Sequence, residues 1–135
     1  DVSKSVIDQM KEKYKGNDDL LWFQMDCTDM DFKDDLFDIV FDKGTFDAIL
    51  CGENGVANVI YSMSEIWRVL KNDGIFIEIS HTDPKRRMIL FSKSDESWKF
   101  IDPIEIAESE LGEEKKRHAF IYIFQKIVKD DDEKK

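Results

Sequence analysis

Phe37-Asp38-Ile39-Val40-Phe41-Asp42-Lys43-Gly44-Thr45 is the stretch on which the fold turns. Phe37 to Phe41 fits a short strand, and Asp-Lys-Gly-Thr supplies the glycine and polar side chains of a turn at its carboxyl end. Phe46 to Cys51 is a second short apolar run, and Gly52-Glu53-Asn54-Gly55 reads as a loop. Val56, Ile60, Met63, Trp67 and Leu70 then step by four, three, four and three, which predicts a helix with an apolar stripe. Asn72-Asp73-Gly74 suits its left-handed stop. Ile75 to Ser80 is an almost wholly apolar strand interrupted by Glu78, as expected in a sheet covered on both faces. Helix and strand alternate, so the fold class is α/β.

Toward the amino end, Val6, Met10 and Tyr14 recur at four-residue intervals beside Ile7, which predicts an amphipathic helix over 3–14 capped by Ser3. Leu20-Leu21-Trp22-Phe23 fits a buried strand, followed by an acidic loop from Asp26 to Asp35. Toward the carboxyl end, Asp83-Pro84 begins a short helix with Met88, Ile89 and Phe91. Ser97 to Ile101 and Ala119 to Ile127 read as strands. Ile104 to Lys116 fits either an acidic helix or a loop with a hairpin-like turn at Gly112. The last two strands predict an antiparallel closing pair on a mostly parallel sheet. In such sheets ligands bind beyond the carboxyl ends of parallel strands, so the loops at Asp26, Asp42 and Ser80 are where a site is expected.

The chain's 135 residues suit one domain, read as 1–128, with a tail over 129–135 made of seven successive charged residues. A 41% hydrophobic content with ten Phe and three Trp supports a packed core. Twenty Lys and Arg stand against thirty Asp and Glu, and a net charge of -10 repels a phosphate backbone and favours a basic protein partner over nucleic acid. No apolar stretch reaches the roughly 18 residues of a membrane span, and no secretory leader is visible. A soluble, cytoplasmic protein is therefore expected. Cys27 and Cys51 have neither paired spacing nor histidine companions, so both read as buried thiols rather than as a zinc site or a disulfide. Trp67 reads as core, and His81 and His118 as structural or solvent-facing.

Asp1-Val2-Ser3, Met25-Asp26-Cys27-Thr28, the run from Phe37 to Ala48 and Trp67-Arg68-Val69-Leu70-Lys71-Asn72-Asp73-Gly74 together resemble class I S-adenosylmethionine-dependent methyltransferases. The Asp-Lys-Gly-Thr-Phe-Asp-Ala run is similar to the group that methylates elongation factor 1A on lysines or its N-terminus. The likeness covers roughly residues 1 to 100, judged on those motifs alone. It implies a Rossmann-like sheet and S-adenosylmethionine as cofactor. It also implies roles. Asp1 would accept hydrogen bonds from the cofactor's ribose hydroxyls, since a bidentate carboxylate suits a cis-diol. Asp26 and the backbone of Cys27 would meet adenine. Asp42 would sit near the methionine end, with Lys43, Gly44 and Thr45 shaping the substrate mouth. No catalytic residue is assigned. Each has a plain rival: Asp1 as a charged terminus, Asp26 as one member of an acidic loop, Asp42 as the end of a strand.

The sequence departs from that family at its front. A first strand and a glycine-rich loop precede the acidic residue matched by Asp1 in the family, and no Gly-x-Gly occurs here. The chain is therefore expected to be a truncated form or fragment of a methyltransferase acting on a protein lysine or N-terminal amine. The alternative is a catalytically inactive binding or assembly module, which could dimerise through an open sheet edge.

Overall fold

The structure is a computed structural model that describes residues 1–107 and 118–128. Four helices and four strands follow in chain order: α1 (Lys4–Lys13), β1 (Phe37–Lys43), α2 (Thr45–Leu50), α3 (Gly55–Val69), β2 (Leu70–Ser80), α4 (Pro84–Phe91), β3 (Trp98–Ala107) and β4 (His118–Lys126). The strands form one sheet in the order β1-β2-β4-β3. β1 and β2 run parallel, while β4 is antiparallel to both β2 and β3. The sheet is mixed, as expected, but its parallel part is confined to one pair.

That narrowing has a local cause. Leu20 to Phe23 is not a strand but extended chain, and Leu21 is 73% exposed. Beside residue 1 it makes two backbone bonds, Met25 N–H to the Asp1 carbonyl at 3.0 Å and the Asp1 amino group to that of Phe23 at 3.4 Å, while Leu20 N–H turns back to the Asn17 carbonyl at 3.3 Å. Two bonds are too few for a ladder.

α1 begins where Ser3 Oγ accepts from Val6 N–H and is braced by a Lys4–Asp8 pair at 2.6 Å. The apolar run after Gly44 is helix α2, because the Asp42 carboxylate accepts from the first free N–H groups of that turn, Thr45 at 3.0 Å and Phe46 at 3.2 Å. α3 stops at Val69, earlier than Asn72-Asp73-Gly74 suggests, and β2 starts at once. Phe37 pairs with Leu70 and Ile39 with Ile75, so Lys71 to Gly74 bulge out of the ladder with Asp73 at φ 62. Only glycine fits position 74, where a Cβ would lie 2.7 Å from the Lys71 carbonyl oxygen.

The core lies between one sheet face and helices α2, α3 and α4. Phe46, Met63, Phe76, Phe91, Tyr122 and Phe124 fill it, with the Phe91 ring edge-on to Phe124 at 4.6 Å. The buried face of α3 is Gly55, Val59, Ser62, Met63, Ile66 and Val69, which rotates the helix away from the expected stripe. Val56 is exposed, and Trp67 packs half-buried at the core's margin with its indole N–H on the Ser97 carbonyl at 3.2 Å. Counting only large apolar residues overlooks Gly55 and Ser62, whose small size lets α3 close on its neighbours.

The opposite sheet face carries Ile39, Phe41, Ile101 and Ile104, all exposed, with Ile77 and Ile123 between them in register. Ile39 and Phe41 are 60% and 59% exposed. β3 admits Pro103 because it pairs only with β4 and its register shifts between Ile101 and Ile104. Cys51 is exposed rather than buried, since α2 turns it outward. Cys27 is half-buried, with its thiol 3.3 Å from Ser62 Oγ. The Gly112 turn and the charged tail lie outside the described residues.

Candidate functional site

At the carboxyl end of β1 the chain turns through Gly44, which sits in the left-handed region at φ 79. Gly44 N–H donates to the Ile79 carbonyl of β2 at 3.1 Å, so the turn is moored to the neighbouring strand. Asp42 is buried beneath it, both oxygens engaged by the α2 amides.

The acidic loop forms a second wall. Asp26 Oδ1 accepts from both the backbone N–H and the hydroxyl of Thr28 at 2.8 Å. Those bonds hold its carboxyl below the usual carboxylate range. Farther along, Glu65 of α3 accepts from Met30 N–H at 2.6 Å. Arg68 donates to the carbonyls of Met30 and Phe32 and to the carboxylates of Asp34 and Glu65, at 2.6 to 2.8 Å. The Arg68 hydrogen bond in turn holds Glu65 low. Ser62, Glu65 and Arg68 are three residues apart, so one side of α3 carries the whole clamp.

Between these walls is an open cavity of about 840 Å³, a size suited to a small-molecule cofactor. Asp1, Asp26, Cys27, Lys43, Gly44 and Thr45 all line it, although 1, 26 and 43 belong to three separate segments. Asp42 is the exception among the expected residues: it shapes the turn from below and does not line the cavity. Asp1, Asp26 and Glu53 line the space together with Lys43. Asp1 Oδ1 accepts from Ser3 N–H at 2.8 Å, which leaves its second oxygen without a protein donor among the described residues.

Behind the turn lies a cluster that the sequence reading missed. Arg87 of α4 is fully buried, donates to Asp47 of α2 and to Ser80 Oγ, and sits 3.2 Å from Glu78 Oε1. Ser80 Oγ also reaches Asp47 at 2.7 Å. Burial pushes the Glu78 carboxyl up to about 8, Asp42 and Asp47 add to the rise, and Arg87 opposes it. The Tyr122 hydroxyl donates to the Thr82 carbonyl at 2.6 Å, and burial raises that phenol to about 12. Glu78 as the one acid in the apolar run from Ile75 to Ser80 was the available signal. His81 Nδ1 lies 2.9 Å from the His118 carbonyl, which makes it a structural contact.

Residues 1–77 match the family described as Methyltransferase domain. The chain belongs to that methyltransferase family. It is 34% identical over 106 residues to the EEF1A lysine methyltransferase 4 of Mus musculus, covering 73% of this chain and 42% of that protein. The eEF1A lysine and N-terminal methyltransferase of Mus musculus is 40% identical over 83 residues, or 59% of this chain and 12% of the relative. This methyltransferase chain thus spans less than half the length of the first relative and about an eighth of the second. The fold matches the N-methyltransferase NodS from Bradyrhizobium japonicum, solved in complex with S-adenosyl-L-homocysteine, with TM-score 0.70 at 13% identity over 93% of this chain and 64% of that one. S-adenosylmethionine is the cofactor of the family. The cavity's donor set fits the nucleoside half of that molecule, with carboxylates suited to hydroxyl and amino groups and a peptide N–H at Cys27. Among the described residues, no helix is long and apolar enough to cross a membrane.

Proposed function

We propose that this chain forms part of an S-adenosylmethionine-dependent methyltransferase acting on a protein lysine or N-terminal amine, with elongation factor 1A as the first substrate to test. The observation that carries the reading is the single cavity gathering Asp1, Asp26, Cys27 and the Lys43–Thr45 turn. Asp1 accepts from the ribose hydroxyls, Asp26 from the adenine amino group, and Cys27 N–H donates to the ring. Asp42 acts at one remove, fixing the turn that borders the mouth. When bound, the cofactor would supply a sulfonium methyl group for transfer to a neutral amine, with the thioether S-adenosylhomocysteine as leaving group and the amine's proton passing to solvent. The chain's own task is alignment and exclusion of water. Its carboxylates also draw a cationic lysine toward the mouth, which agrees in sign with the net charge of -10. A cytoplasmic setting belongs to this reading.

Calorimetric titration with S-adenosylhomocysteine tests it. Measurable binding that Asp26→Ala weakens is expected, whereas a demonstrably full-length, folded protein giving no heat rejects the reading. The exposed Ile39 and Phe41 on β1 favour a second one, an assembly module that dimerises through this strand. A light-scattering mass equal to one chain, with or without cofactor, dismisses it.

A further inference from the structure

Across α2 from the cofactor cavity lies a second, smaller depression of about 250 Å³ between α2, the start of α3, and α4. Thr45, Ala48 and Ile49 of α2 line the first space, and Leu50 of the same helix lines the second. Its floor is apolar: Leu50, Val56, Ile89 and Leu90. Val56 is 48% and Ile89 57% exposed, although neither is needed to close the core. Arg86 and Lys93 stand at the rim, three residues before and four after Ile89, with Lys85 beside them on the exposed side. The exposed side of α4 and the residues just after it thus place an isoleucine between cations.

The charge here runs against the rest of the molecule. From Pro84 to Lys93 there are four cations and no acid, within a chain of net charge -10. Arg87 is turned inward and neutralised by Asp47. Among the described residues Arg86 pairs with its neighbour Asp83 at 3.5 Å and remains 83% exposed, so its charge faces solvent. An apolar recess with a cationic rim complements an aliphatic side chain flanked by carboxylates.

We propose that this groove docks an acidic segment of the protein acceptor, anchored by one aliphatic residue, beside the reactive amine. The acceptor's role rests on the methyltransferase reading; the docking itself does not require cofactor. A helix is about 10 Å across and an extended chain advances about 3.3 Å per residue, so the anchor falls roughly three residues from the amine. A recess anchored on one aliphatic side chain suits a protein segment better than a flat lipid surface.

The test is fluorescence anisotropy with labelled peptides about 12 residues long, spanning three extended helix widths. One carries leucines among glutamates, and its counterpart has every glutamate replaced by lysine. The acidic peptide should bind at this groove, whereas any binding of the lysine peptide, which the cavity carboxylates attract, should not depend on the groove's residues. Ile89→Glu, and separately Lys85→Glu with Arg86→Glu and Lys93→Glu, should each weaken the acidic peptide about tenfold or more. Both variants alter exposed positions, and circular dichroism checks that they fold. Unchanged affinity for the acidic peptide in the triple charge-reversal variant overturns the proposal, as does full affinity in Ile89→Glu. Phosphatidylserine vesicles binding with the same dependence on the three cations would also overturn it in favour of a membrane. Because no cofactor is present, failure of S-adenosylhomocysteine to bind leaves this result standing, and failure here leaves the cavity reading standing.

Discussion

Replacing Glu78 by Gln should remove a pH dependence of stability that the wild-type chain displays between about pH 4.5 and 8. Glu78 is fully buried, its carboxyl raised from an ordinary 4.5 to about 8, chiefly by desolvation. The groups facing it are Arg87 from α4, Asp42 from β1, Asp47 from α2 and Tyr122 from β4. The folded state holds the Glu78 proton more tightly than the unfolded state, so this contribution is complete below pH 4.5 and is lost as pH rises toward 8. Each pH unit in the window costs about 1.4 kcal/mol, and the full span about 5 kcal/mol. That is a large share of the roughly 5–15 kcal/mol that holds a typical domain together. Urea denaturation followed by tryptophan fluorescence at pH 5.5, 7 and 8.5 measures it, with about 3 kcal/mol expected between the first and the last. The Gln variant should lose most of that slope and be the more stable protein at alkaline pH. A wild-type curve flat across the range, or an unchanged slope in Glu78→Gln, would refute the account of this buried carboxyl.

Asp42→Ala strips two amides of α2 of their acceptor, and a loss of about 1–2 kcal/mol is expected in denaturation. Arg68→Ala releases the Met30–Asp34 stretch from α3; hydrogen exchange at the Met30 amide should accelerate about tenfold or more, while the sheet amides change little. Gly74→Ala forces a methyl against the Lys71 carbonyl at the bulge, with about 1–3 kcal/mol lost on thermal unfolding. Wild-type stability in Gly74→Ala would show that the bulge can relax.

What the sequence disclosed followed how local each signal is. The turn at Asp42-Lys43-Gly44-Thr45, the Ser3 cap and the Asp83-Pro84 helix start are fixed within a few residues, and the structure has all three. The antiparallel pairing of β3 with β4 also follows the expected closing pair. Leu20 to Phe23 was misread because a strand exists only through its neighbours, and apolar character alone supplies none. Helix α2 was missed because its determinant is a carboxylate reaching forward from Asp42. The inward face of α3 depends on Gly55 and Ser62, which a hydrophobic count passes over. Of the candidate site, Lys43, Gly44 and Thr45 stand at the end of β1, whereas Asp1, Asp26 and Cys27 were named as site residues only through the family resemblance; all six line one cavity. Arg87 could not be found by either route, because its pairing with Asp47 and Glu78 spans three elements and leaves no periodic trace in the chain.

The uncovered face bearing Ile39 and Phe41 has a colloidal consequence. Mutual repulsion among copies is what keeps such faces apart in solution, and it vanishes near the isoelectric point of about 4.7. Acidifying a concentrated sample should therefore turn it cloudy at a pH where the fold itself is still intact, and Phe41→Lys should clear it.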